Sequence, residues 1–169
     1  MKIEKFDHIF LDRDGVINEV VFRGDIVSSP QTLEEFSFKQ DIKEFINRFN
    51  KKKEFYVITN QPDISRGLLD PSELEKMHKM ISSELGIEKI SYCPHTKEDG
   101  CNFRKPKPGM INKYIFDLKL DKAKCLMIGD TENDALAAKN SNISSVLIRT
   151  AYNSHLGNIH FVNSLKDLI

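Results

Sequence analysis

The 169-residue chain is short of three things at once: cysteine, a surplus of either charge, and long apolar runs. Its three cysteines, an odd number, do not suggest a disulfide framework. Lysine and arginine number 25, as do aspartate and glutamate, so the formal net charge is zero. A nucleic-acid binder usually carries a basic excess, and none is present. No apolar run approaches the roughly 20 residues that span a bilayer. The opening MKIEKFDHIF lacks both the apolar core and the small-residue cleavage site of a signal peptide. The expected setting is therefore the cytoplasm. No repeat or low-complexity segment divides the chain. With 40% hydrophobic and 30% charged residues, one soluble domain over 1–169 is expected.

What the chain does have is alternation. Short apolar runs at HIFL (8–11), FYVI (55–58), CLMI (125–128) and VLI (146–148), with a weaker KISY (89–92), are separated by helical patterns. Continuously apolar runs suit strands covered on both faces of a parallel sheet. Ile42, Phe45, Ile46 and Phe49 fall at helical spacing. The KKK at 51–53 reads as a solvated last turn facing the helix dipole. In DPSELEKMHKMISSELG, Asp70 is a candidate N-cap, Pro71 suits the first helical position, Glu73 would complete a capping box, and Gly86 ends the helix. Leu74, Met77, Ile81 and Leu85 form its buried stripe, with His78 read as structural beside it. A third helix is predicted from about Pro108 to Leu118, with Met110, Ile111, Tyr114, Ile115 and Leu118 inward. A fourth starts near Thr131 and carries the small face Ala135, Ala137, Ala138. The order implies an α/β fold: a doubly wound, mainly parallel sheet with helices on both faces.

In open sheets of this kind, ligands bind beyond the carboxyl ends of the strands. Asp12 and Asp14 follow the first run, Thr59, Asn60 and Gln61 the second, and Asp130 and Asp134 the fourth. RKPKPG, with Arg104, Lys105 and Lys107, lies between the weak run and the helix after it. Four carboxylates at one sheet edge repel each other, and one stays protonated unless a cation intervenes. Mg²⁺, a hard cation that prefers oxygen, makes sense of the set.

DRDGV, ITN, the lysine of RKPKPG and GDTEND, in this order, resemble the four motifs of the haloacid dehalogenase-like phosphatase superfamily over nearly the whole chain. The resemblance implies a Rossmann-like fold and an aspartyl-phosphate mechanism. Asp12 would be the nucleophile and Asp14 the general acid and base. Thr59 would bind a phosphoryl oxygen, and Lys105 would neutralise charge on the transferring group. Mg²⁺ would be held by Asp12, Asp130 and the backbone carbonyl of Asp14, with Asp134 supporting the metal or orienting Lys105. About 45 residues separate Asp14 from Thr59, and a similar number Thr59 from Lys105. Neither interval has room for a folded cap, so the site should be open. The first interval is expected to hold one helix and a loop region from Asn18 to Gln40.

Two details narrow the branch. TNQPDISRG and CPH…C…RKPKPGM are similar to motifs of the D-glycero-D-manno-heptose bisphosphate and histidinol-phosphate phosphatases. Those families carry a structural zinc loop, of which Cys93, His95 and Cys101 match three ligands; Phe103 stands in the fourth position. Zinc almost always takes four protein ligands in structural sites. Two readings stay open: zinc completed by water or Asp99, or a metal-free loop held by Phe103 packing inward. Cys125 reads as a small core residue. The expected partner is a small phosphorylated sugar, with Asn60, Arg104 and Arg66 as substrate-binding candidates and heptose 1,7-bisphosphate as the leading substrate. Nucleic acid and membrane are not expected, and a monomer is. The rivals are a histidinol-phosphate phosphatase, a nucleic-acid 3′-phosphatase, and a non-catalytic binding module on the same fold.

Overall fold

A computed structural model describes residues 3–157 and 159–169. Six strands form one sheet: β1 (His8–Leu11), β4 (Glu54–Asn60), β5 (Ile90–Cys93), β6 (Cys125–Gly129), β7 (Ser144–Ile148) and β8 (Phe161–Val162). Two more, β2 (Val21–Arg23) and β3 (Ile26–Ser28), make a separate antiparallel hairpin. The sheet runs β5-β4-β1-β6-β7-β8, and every pairing in it is parallel. Four helices cover it: α1 (Ile42–Phe49), α2 (Pro71–Leu85), α3 (Gly109–Leu118) and α4 (Glu132–Ser141).

The continuous apolar runs are explained by burial on both faces. Along β1, Ile9 and Leu11 pack with α1 and α2, whereas Phe10 packs with α3 and α4. The doubly wound reading therefore holds, with one layer of core on each side of the sheet. β1 sits at the centre, hydrogen-bonded to β4 and β6, so the residues after β1, β4 and β6 emerge side by side.

Several local expectations need correction. Lys53 is not on a solvated turn: it is buried, and its Nζ donates to Ile3 O at 2.9 Å and to Phe6 O at 2.5 Å, joining the end of α1 to the N-terminal turn. Asp70 does cap α2, accepting from Ser72 N, but Glu73 closes no capping box. Its carboxylate accepts from Leu33 N and from Lys76 instead. Leu118 is exposed rather than inward, because α3 ends there with Lys119 in the left-handed region. The segment from Asn18 to Gln40 is more than a loop: it holds the β2–β3 hairpin and a single 3-10 turn at Leu33–Glu35. No helix among the described residues is long and apolar enough to cross a membrane.

Candidate active site

The carboxyl ends of the three central strands open onto a cavity of about 390 Å³, lined by Asp12, Asp14, Thr59, Asn60, Arg66, Arg104, Lys105 and Asp130 among others. Asp12, Asp14, Thr59, Lys105 and Asp130 thus meet at one place, while Asp134 is not on the cavity wall and touches it through Lys105.

Asp12 is anchored by the ladder, since its backbone N–H donates to Ile128 O. Its Oδ1 accepts from Arg13 N at 2.7 Å and lies 2.8 Å from Lys105 Nζ. Lys105 is buried and also donates to Asp134 Oδ1 at 2.6 Å and to Ile58 O at 2.9 Å. Burial works to deprotonate Lys105, but Asp12 and Asp134 outweigh it and raise its pKa. Burial, then the nearby Asp134 charge, push Asp12 up to about 7 despite the pull of Lys105. Asp134 accepts from Thr131 N, Thr131 Oγ1 and Asp130 N, so it caps α4 while orienting Lys105. Of the two roles expected for Asp134, the geometry favours the lysine over the metal.

Asn60 was expected on substrate, yet its amide is engaged twice with Lys105. Nδ2 donates to Lys105 O and Oδ1 accepts from Lys105 N, both at 3.0 Å. It lines the cavity but serves to hold the lysine loop against β4. Thr59 accepts from Gln61 Nε2 at 2.9 Å, which leaves its own hydroxyl proton for another acceptor.

Asp14 lies in a cradle. Arg13, wholly buried, reaches both its oxygens; Asn18 donates to Oδ1, and Ser29 and Gln61 donate to Oδ2. Burial alone would raise this carboxyl, but the Arg13 guanidinium and the hydrogen bonds from Asn18 and Gln61 hold it below the ordinary range. Gln61 joins the groups, accepting from Arg13 through its carbonyl while its amide serves Asp14 and Thr59. The bridging roles of Arg13, Gln61 and Ser29 are absent from the sequence-based expectations, though Gln61 directly follows the Thr59 motif.

Asp130 supplies the test of metal fit. It is buried, its Oδ2 accepts from Tyr152, and its Oδ1 has no hydrogen-bond partner. Burial, then Asp12 and Asp134, raise its pKa well above the carboxylate range. Ligand oxygens of Asp12, Asp130 and Asp134 lie within 4.8 Å of one another. A buried, unpartnered carboxylate oxygen beside a second crowded carboxylate is a costly arrangement that a cation relieves. The residues present fit Mg²⁺.

At the rim, Arg104 donates to His95 O at 2.9 Å, and Arg66 pairs with Asp63 at 3.1 Å. Lys107 is turned away, into the Gly100 and Asn102 loop. Cys93, His95 and Cys101 do come together, their donor atoms within 4.8 Å. Phe103 does not pack inward; it is 45% exposed, and its backbone N–H donates to Cys101 Sγ. Asp99 accepts from Thr96 rather than facing the cluster. The donor chemistry suits a soft cation, with three protein ligands among the described residues. The cavity wall also includes Val27, Ser28 and Ser29 of the hairpin region and Tyr152, which the sequence did not mark.

Comparison with known proteins agrees with this geometry. Residues 102–167 match the HAD-hydrolase-like family model. The chain is 35% identical to the D-glycero-beta-D-manno-heptose-1,7-bisphosphate 7-phosphatase of Pseudomonas aeruginosa, over 84% of this chain and 80% of that protein. It is 32% identical to the D-glycero-alpha-D-manno-heptose-1,7-bisphosphate 7-phosphatase of Campylobacter jejuni, over 83% and 80% respectively. Among solved structures it is similar to the D,D-heptose 1,7-bisphosphate phosphatase of B. bronchiseptica complexed with magnesium and phosphate. The TM-score is 0.81, at 26% identity, covering 95% of this chain and 94% of that one.

Proposed function

This chain belongs to the haloacid dehalogenase-like phosphatases and is a phosphoric monoester hydrolase, and we propose that it acts as one Mg²⁺-dependent domain on D-glycero-D-manno-heptose 1,7-bisphosphate, releasing the 7-phosphate. The observation that carries the reading is the meeting of Asp12, Thr59, Lys105 and Asp130 round one open cavity, with one Asp130 oxygen left unpartnered.

Asp12 attacks phosphorus, forming an aspartyl-phosphate as the sugar alkoxide departs. Lys105, held by Asp134 and Ile58 O, keeps the attacking carboxylate in place and offsets charge on the transferring group. Thr59 gives its free hydroxyl proton to a phosphoryl oxygen. Asp14, ionised in its cradle, takes up a proton from solvent once the negative phosphate bound beside it raises its pKa, gives that proton to the departing alkoxide, and later takes one from the water that opens the aspartyl-phosphate. The cradle of Arg13, Asn18, Gln61 and Ser29 fixes where that carboxyl points. Asp12, Asp130 and the Asp14 carbonyl would hold Mg²⁺, which supplies the charge that lets a carboxylate approach a phosphate dianion.

Substrate preference follows from the rim. With no cap among the described residues, recognition falls to short loops, and Arg104 and Arg66 line the same cavity as the catalytic set. A planar guanidinium matches the oxygens of a second, non-reacting phosphate. The same cations would repel the amine of histidinol phosphate.

Phosphate release from heptose 1,7-bisphosphate, simple sugar monophosphates, histidinol phosphate and a 3′-phosphorylated oligonucleotide tests the assignment. The heptose bisphosphate is expected to lead in kcat/KM. Arg104→Ala should lower that value roughly 10- to 150-fold, one charge-assisted contact, and change a simple monophosphate far less. Preference for histidinol phosphate would overturn the substrate. Equal losses on both sugar phosphates would move Arg104 to the reacting phosphate.

A further inference from the structure

Tyr152 is the one cavity residue whose polar group touches Asp130 and to which the mechanism above assigns no part. Its hydroxyl donates to Asp130 Oδ2, while Asp130 Oδ1 is buried and unpartnered. The tyrosine is fixed from behind. It sits in the Ala151–Asn153 turn, where Asn153 Nδ2 donates both to Asp130 O at 2.8 Å and to Ile148 O at 2.7 Å. Thr150 N returns a bond to Asn153 Oδ1, so the turn is stapled to the ends of β6 and β7. Opposite stands Gly15, at φ +84°, where a Cβ would overlap the Asp130 carboxylate and lie 2.8 Å from the Tyr152 hydroxyl. The backbone has therefore made room for this one hydrogen bond.

We propose that Tyr152 is a positioning residue that makes Asp130 a one-oxygen ligand and thereby sets the preference of the site for Mg²⁺ over Ca²⁺. The inference rests on the metal reading above. Mg²⁺ is small and demands near-octahedral geometry, with its ligand oxygens close in. Ca²⁺ takes six to eight oxygens and readily accepts both oxygens of one carboxylate. A hydroxyl bonded to Oδ2 competes with the larger ion for that oxygen and leaves the unpartnered Oδ1 as the free ligand atom. Removing the hydroxyl frees both oxygens. Ca²⁺ then gains a ligand that Mg²⁺ has no use for.

The test is calorimetric titration of chelator-stripped full chain with MgCl₂ and with CaCl₂, in wild type, Tyr152→Phe and Tyr152→Leu. Both variants lack the hydroxyl. The Mg²⁺-to-Ca²⁺ affinity ratio is expected to fall roughly tenfold in each, about one hydrogen bond to a charged group. Inhibition of Mg²⁺-dependent turnover by Ca²⁺ should strengthen by a similar factor. A purely structural role for Tyr152 would weaken both ions alike and leave the ratio where it was, which overturns the proposal. Wild type that binds no Mg²⁺ would overturn the metal reading, and this inference with it. Failure of both variants to fold, judged by melting curves, would place Tyr152 in the stability of the β6–β7 edge instead.

Discussion

Arg13 stands between two carboxylates that do different work, and the structure gives it wholly to one of them. Its guanidinium bonds Asp14 while its backbone N–H serves Asp12. The two acids are pushed apart, Asp14 below the ordinary carboxylate range by the Arg13 guanidinium, Asp12 up to about 7 by burial and the neighbouring Asp134 charge. A carboxyl raised in the folded state keeps its proton where the unfolded chain has lost it. The fold then binds more protons, and stability falls as pH rises between about 3.8 and about 7. Asp130 is shifted in the same direction, whereas Asp14, held low, contributes its stability throughout that window and loses it only at lower pH. Metal-stripped protein is therefore expected to lose Tm from pH 5 to pH 8, and added Mg²⁺ to restore more at pH 8 than at pH 5. Asp12→Asn should flatten this slope and abolish turnover together; a Tm gain from Mg²⁺ that is equal at both pH values would contradict it. At this scale the acids are legible in the sequence because each directly follows an apolar run. The partners are not, since Arg13 meets Gln61 across 48 residues and Tyr152 meets Asp130 across 22.

At the scale of elements, the strands and helices are legible wherever both faces of the sheet are covered, because burial writes an unbroken apolar run. The stripe Leu74, Met77, Ile81, Leu85 is buried as its spacing requires. The β2–β3 hairpin is not legible: three-residue strands carry too few positions to show a period, and Phe22 and Ile26 are 63% and 71% exposed. The hairpin nonetheless forms one wall of the cavity, with Ile26 and Val27 on it. Ile26→Asp should test that wall. It places an anion at the mouth without touching the core, so Tm should change by less than about 1–2 °C. The kcat/KM for a bisphosphate should fall roughly three- to tenfold at low salt and recover as ionic strength rises. A loss independent of salt would mean that the hairpin acts by shape rather than by field.

For the molecule as a whole, two clusters of potential metal ligands, one of carboxylates and one of two cysteines and a histidine, occur among the described residues. The oxygen site is closed in by buried acids, whereas Cys93, His95 and Cys101 form a three-ligand cluster beside the Arg104 loop. The N–H of Phe103 lowers the pKa of Cys101, and burial raises that of Cys93. Zinc held by three protein ligands exchanges more readily than in a closed four-ligand site. Elemental analysis of protein purified without added metal should therefore show zinc below one equivalent, and a mild chelator should remove it without loss of fold. A full equivalent that survives chelation would show that the loop supplies a fourth ligand after all. The sequence displays the three donors but not this outcome, because the directions of Phe103 and Asp99 depend on the turn between them.

The placement of β1 has a bearing on time as well as space. That strand is hydrogen-bonded on both sides, and the amide of Asp12 extends the ladder by its bond to Ile128 O. Amides so placed exchange with solvent only when the whole fold opens, while those of a small exposed hairpin open locally and often. The nucleophile is therefore expected on slowly exchanging backbone and the hairpin on faster-exchanging backbone, a contrast that amide exchange of β1 against β2–β3 reads directly. The attacking carboxylate is thus held by the part of the fold that opens last, and slow exchange at the Asp12 amide is the signature to look for.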